Sequence, residues 1–146
     1  MDDIDRALLV ALVDDARLSY QQLAAQVHLS SNSTADRVRR LRQSGVLAGY
    51  HAELNLAALG YTLHSLTDAK LKEAVDRRDF EDQLRGVPQL LSAVHTTGEF
   101  DYQLRIVSTS TNELETVGDT LRQLGARDIQ SRIVLGEVRY NSARLL

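Results

Sequence analysis

The chain has 146 residues, 43% of them apolar and 25% charged, the balance of a folded globular protein of one domain or two small ones. It contains no cysteine, which excludes disulfide scaffolds, zinc ribbons and thiol nucleophiles and makes an intracellular setting the default. The net charge of −3 gives, taken whole, no sign of a nucleic-acid partner. No apolar run approaches the roughly 18 residues of a membrane span, and the start, Met1-Asp2-Asp3-Ile4-Asp5, is acidic where a signal peptide is basic. Fifteen of the 17 basic residues are arginine; the two lysines are Lys70 and Lys72.

The first fifty residues read as three short helices. Ile4, Leu8, Ala11 and Leu12 fall on one face at helical spacing, with Asp2 and Asp3 available as caps. Arg17-Leu18 breaks the pattern, and Ser19 with Gln22 three residues on forms a capping box for a second helix that buries Leu23, Ala24 and Val27. His28-Leu29 turns the chain. Ser30 then caps a third helix running to about Ser44, where Gly45 supplies the left-handed terminator at no steric cost. Three helices with so short a turn between the last two describe a helix-turn-helix. Residues 46–54, apolar-rich and containing Gly49, are expected to form a small strand or wing.

From about Tyr61 the period changes. Residues 62–71 are expected to open a sheet, although their polar content makes the signal weak, and a helix is expected over residues 76–85 with Phe80 and Leu84 inward. Residues 91–96 form the next strand and Thr97-Gly98-Glu99 a hairpin turn. Phe100, Tyr102, Leu104 and Ile106 then alternate with Asp101, Gln103 and Arg105, the clearest period-two run in the chain. Ser110 and Glu113 make a capping box for a helix burying Leu114, Val117, Leu121 and Leu124, and Ile129, Ser131, Ile133 and Leu135 alternate in a last strand. The order is βαββαβ, so the fold class is α+β: a winged helix-turn-helix (residues 1–51), a short linker (52–60) and a ferredoxin-like sandwich (61–146).

Charge resolved along the chain overturns the first impression. Residues 30–45 hold four arginines, Arg37, Arg39, Arg40 and Arg42, against Asp36 alone, whereas the ninety-six residues after position 50 carry eleven bases and fourteen acids. With Val38, Leu41 and Thr34 or Ala35 facing the core, the outer side of the third helix presents Asn32, Ser33, Asp36, Arg39, Arg40 and Gln43, with Arg37 on a flank. A recognition helix has this division, short polar residues reaching base edges in its first turns and arginines holding phosphates. A basic helix alone is usually only a solvated face; the capped three-helix setting is what points to double-stranded DNA.

Several motifs together match a known family. The chain resembles the Lrp/AsnC (leucine-responsive, or feast/famine) transcriptional regulators over almost its full length. The carriers are Asp2-Asp3-Ile4-Asp5-Arg6, Ala16-Arg17-Leu18-Ser19, Leu23-Ala24, Leu29-Ser30, Arg37-Val38-Arg39-Arg40-Leu41 and Ser44-Gly45-Val46-Leu47. They continue with Gly49-Tyr50-His51-Ala52, Leu59-Gly60-Tyr61 and Thr97-Gly98-Glu99-Phe100-Asp101-Tyr102. The resemblance implies DNA contacts from Ser31, Asn32, Ser33, Asp36, Arg37, Arg39 and Arg40. It implies homodimers through the sheets, often assembled to tetramers or octamers, in the cytoplasm of a bacterium or archaeon and on its nucleoid. It further implies an amino-acid or related effector between dimers, held by Gly98, Asp101, Tyr102 and Ser131. An aspartate can pair with an amino-acid ammonium, and backbone N–H groups at a glycine turn can hold its carboxylate. The chain departs from the family pattern at Ser31 and Ser33, where many members have proline, at Ile129, one of two positions usually threonine, and at the polar residues His64, Ser65, Thr67 and Asp68 of the opening strand.

Two other readings remain at this level. An architectural DNA-bridging protein without an effector fits the missing threonine, and ferredoxin-like dimers also host catalysis. No nucleophile with a base, no phosphate-cradling loop and no metal triad is present in the sequence, so neither enzyme nor cofactor is expected. The four histidines, His28, His51, His64 and His95, lack metal-ligand spacing, although His64 and His95 have room to approach on neighbouring strands.

Overall fold

The computed structural model describes residues 1–146 and divides them into two compact units: residues 1–53 with 138–146, and residues 54–137. The first contains α1 (Asp3–Asp14), α2 (Tyr20–Val27) and α3 (Ser31–Gln43). Their starts follow local chemistry. Asp2 and Asp5 exchange side-chain-to-backbone hydrogen bonds at α1, and Ser19 and Gln22 do so at α2. Ser30 accepts the Ser33 N–H at α3. Between α2 and α3, His28 takes left-handed backbone (φ 55°), and Gly45 does so after α3 (φ 77°). Leu8, Leu12, Leu23 and Val38 form the core of this unit, each contributing roughly 1.5–3 kcal/mol by burial.

The wing strand expected over residues 46–54 does not form. Leu47 instead folds under the helices, donating its N–H to the Leu41 carbonyl (3.0 Å) and packing on the helical core. No second strand exists in this unit to supply a hydrogen-bonded ladder, so the apolar run closes the helical core rather than a sheet. Residues 138–146, placed by sequence with the sheet, belong to the helical unit. Arg6 donates to the Leu146 carbonyl (2.8 Å), Asn141 donates to Asp14 (3.2 Å), and the 3₁₀ turn Ser142–Leu145 packs on α1.

The second unit follows the expected βαββαβ order, with β1 (Leu63–Leu71), α4 (Arg77–Leu84), β2 (Leu90–His95), β3 (Tyr102–Ser108), α5 (Thr111–Gln123) and β4 (Ala126–Ile133). The strands form one antiparallel sheet in the order β2-β3-β1-β4. Alternation sends Ala69 of β1 and Tyr102, Leu104 and Ile106 of β3 to the side covered by Phe80 and Leu84 of α4 and Val117 and Leu121 of α5. The opposite side is polar at its centre: Arg132 pairs with Asp68 (2.5 Å), and Gln103 donates to the same carboxylate (3.2 Å). At the start of α5, Ser110 caps as expected. The Glu113 carboxylate, however, reaches past Ser110 to the N–H and hydroxyl of Thr109 (both 2.7 Å) and to the Gln89 amide (2.8 Å). Leu135, expected to continue the β4 alternation, lies beyond the strand and is exposed.

Candidate nucleic-acid interface and ligand cleft

Helix α3 buries Thr34, Val38 and Leu41 and exposes Ser31, Asn32, Ser33, Asp36, Arg39, Arg40 and Arg42. Six of the seven residues expected to contact DNA therefore share its outer side. The seventh, Arg37, does not. Its guanidinium donates to Asp2 and Asp5 of the α1 start (both 2.8 Å), and only 21% of its side chain is exposed. These bonds hold the Asp2 carboxyl below its usual range, the backbone N–H of Asp5 being the largest cause and Arg37 the next. Arg39 pairs with Asp36 (2.7 Å), but both side chains are more than half exposed, and such a pair is easily exchanged for another anion. Neither Arg40 nor Arg42 has an acidic partner; Arg42 instead lies over the Tyr50 ring, 5.6 Å from its centre. The uncompensated cations thus sit in the C-terminal half of α3, behind a first turn of hydroxyls and one amide. Sequence reasoning named Tyr50, Asp2 and Asp5 only as motif or capping residues and did not connect them with Arg42 and Arg37, because all three lie outside the helix.

In the sheet unit, a cleft of about 500 Å³ opens at the end of β1, and Asp101, Tyr102 and His95 line it. Asp101 fixes the loop after β2 against β1, its N–H donating to Ala69 (3.0 Å) and its Oδ2 accepting the Leu71 N–H (2.7 Å). Oδ1 has no protein partner. Tyr102 is 1% exposed; its ring packs on Phe80 and His95, and its hydroxyl donates to Glu81 (2.5 Å). Burial first, and then the Glu81 carboxylate, push the phenol far above its usual value, so Tyr102 is a neutral wall of the cleft. Gly98 (φ 115°) sits in the loop that the Thr96 N–H closes onto the Asp101 carbonyl (2.9 Å). It does not line the cleft, and neither does Ser131, whose hydroxyl bonds to Thr67 (2.8 Å) on β1. The structure therefore brings together two of the four expected effector residues. His64 and His95 lie on β1 and β2, which β3 separates. No cluster of three or more metal-ligating side chains occurs, and no helix is long and apolar enough to cross a membrane.

Comparison with known proteins decides the family. Residues 1–42 match the AsnC-type helix-turn-helix domain and residues 68–143 the Lrp/AsnC ligand binding domain. The chain belongs to the Lrp/AsnC family of transcriptional regulators. It is 37% identical over 109 residues to the Bkd operon transcriptional regulator of Pseudomonas aeruginosa, spanning 73% of this chain and 71% of that one. It is 30% identical over 135 residues to the regulator LrpA of Mycobacterium tuberculosis, spanning 92% and 90%. Among solved structures, a Neisseria meningitidis transcriptional regulator in complex with L-methionine superposes with a TM-score of 0.90 at 31% identity, covering 100% of this chain and 99% of that one. The feast or famine regulatory protein of M. tuberculosis complexed with L-methionine gives 0.86 at 30% identity, covering 95% of each chain. As an Lrp/AsnC protein the chain is a DNA-binding regulator and not an enzyme, with α1–α3 as its helix-turn-helix domain and the sheet unit as its ligand-binding domain.

Proposed function

We propose that this regulator reads double-stranded operator DNA as a homodimer or a higher assembly and is switched by an amino acid bound beside Asp101. Asn32, Ser33 and Asp36 approach base edges, while Arg39 and Arg40 hold phosphates. Two α3 helices related by a dimer axis call for near-palindromic operators with half-sites about one or two helical turns apart. The effector ammonium pairs with Asp101 in this cleft, at a site where dimers meet. An effector changes operator binding only by preferring one assembly over another. The observation that carries this reading is the cleft at Asp101, formed in a domain whose structural relatives were solved with L-methionine. The setting for such a protein is the cytoplasm.

A thermal-shift screen of the twenty amino acids on the purified chain tests the effector half of the reading, because a ligand that binds the native state raises its melting point. A hit that also alters the assembly state and the DNA affinity supports the proposal. Silence across the panel sinks it.

A further inference from the structure

The two flanks of α3 are built differently. Around the helix, Arg37 and Arg42 stand on opposite sides of the buried face formed by Thr34, Val38 and Leu41. Arg37 is neutralised by Asp2 and Asp5 of α1. Arg42 is exposed and meets no acid; it lies over the Tyr50 ring, 5.6 Å from its centre. Its flank opens on a groove of about 450 Å³ lined by Tyr20, Ala35, Val38, Arg39, Arg42 and Gln43. That lining holds two arginines and no carboxylate, for Asp36, the exposed partner of Arg39, is not part of it. Burial first, and then the nearby Tyr20, raise the Tyr50 phenol above its ordinary value, so the ring under Arg42 is neutral.

We propose that Arg42, positioned by Tyr50, binds a phosphate of the DNA backbone in this groove, a contact outside the set assigned to α3 above. The inference rests on the reading of α3 as the helix that enters the major groove, and it adds an anchor to that helix. A helix seated in a major groove has a phosphate backbone on either side of it. On the Arg37 side, two carboxylates outweigh the one guanidinium. On the Arg42 side nothing opposes the cation. What holds an arginine decides what else it can bind. A carboxylate partner occupies guanidinium donors and cancels their charge. An aromatic face attracts the cation through the ring quadrupole and leaves N–H groups free for an anion. Tyr50 also restricts the arginine before DNA arrives, so less side-chain freedom is lost on binding. Arg39 and the Gln43 amide line the same groove, and both side-chain types donate to backbone phosphates.

Fluorescence anisotropy of the full chain on a labelled random-sequence duplex of about four helical turns tests it, since backbone contacts require no particular operator. Arg42→Ala weakens binding by about fivefold or more at about 0.1 M salt. It also lowers the slope of log affinity against log salt by about one for each bound chain. Tyr50→Ala weakens binding by about threefold in the wild-type chain and not at all in the Arg42→Ala background, because a positioning residue acts only through the residue it positions. Tyr50→Phe keeps the ring and binds as the wild type does. Arg85→Ala, which removes an exposed charge from the sheet unit, leaves the slope unchanged. Melting points of the free variants establish that each is folded. If Arg42→Ala keeps the wild-type slope while Arg40→Ala lowers it, the Arg42 contact is wrong and α3 remains the reading helix. If neither variant lowers the slope, the reading of α3 falls with it. Equal losses from Tyr50→Ala with and without Arg42 overturn the positioning role. An equal slope change from Arg85→Ala overturns the contact, because net charge then accounts for both.

Discussion

Arg37 of α3 donates to the Asp5 carboxylate of α1 at 2.8 Å, and through the same nitrogen to Asp2, so an arginine of the recognition helix ties that helix to the start of the chain. The Asp2 carboxyl is held below its ordinary value of 3.8 in the folded state. A depressed carboxyl contributes stability that is complete above its unfolded value and is lost as pH falls through the folded one. Melting of the wild-type protein therefore shows no loss from this contact between about pH 7 and pH 5, and a loss below about pH 4. Asp2→Asn keeps a capping oxygen at α1 and removes the charge. It lowers the melting point by a few degrees at neutral pH and flattens the acid side of the profile, as circular dichroism melts across the pH range will read.

Arg40 has no acidic partner and stands exposed on the outer side of α3. Arg40→Ala weakens DNA binding across operator sequences and reduces the slope of log affinity against log salt by about one, the signature of a lost phosphate contact. Arg37→Ala, by contrast, lowers the melting point and leaves that slope nearly unchanged. Fluorescence anisotropy at several salt concentrations separates the two, and a wild-type slope for Arg40→Ala removes α3 from the interface.

The contrast between these arginines shows what is legible in a sequence. Capping pairs such as Ser19 with Gln22 lie within one helical turn, and the alternation of Tyr102, Leu104 and Ile106 repeats every second residue. Such signals require no knowledge of the chain's path. The partners of Arg37 lie 35 and 32 residues away, and no local pattern announces them. The same holds for the cleft, where Lys70 and Lys72 meet Asp101 and Arg127 only because β1 sits between β3 and β4. The missing wing has a related cause: an apolar run reads as a strand, but a strand needs a partner, and Leu47 found a helical core instead. Tyr102 belongs to a motif that suggested ligand contact and also alternates with Leu104 and Ile106; it is buried with them, and one part of it still walls the cleft.

Asp101 holds the Leu71 N–H in the fold and the effector ammonium in the proposed switch, and one pair of variants separates the two. Asp101→Asn retains an oxygen for the Leu71 N–H and loses the charge, so the amino-acid response disappears while the melting point moves little. Asp101→Ala loses the acceptor as well and costs roughly 1–3 kcal/mol, the penalty of an unsatisfied, partly buried N–H. Ligand titration and urea denaturation of both variants provide the check; a full response from Asp101→Asn places the ammonium elsewhere.

Gly125, between α5 and β4, has φ 121°, a region open to glycine and strained for other residues. A Cβ at this position would stand 2.6 Å and 2.9 Å from the two γ-methyl carbons of Val75, closer than packed carbons approach. The glycine carbonyl also accepts the Lys72 N–H (3.0 Å), so the segment that carries Lys72 and Val75 is fixed against it. Gly125→Ala therefore adds backbone strain to a clash, and costs at least about 2 kcal/mol. The urea midpoint falls with the m-value unchanged, because the damage is local and the unfolded chain is hardly altered. Val75 also lines the cleft, so the displaced side chain intrudes on the ligand, and effector affinity falls beyond what the lost stability explains. Val75→Ala in the same chain makes room for the new methyl group and recovers part of both losses. A double variant no better than Gly125→Ala assigns the whole cost to the backbone angle.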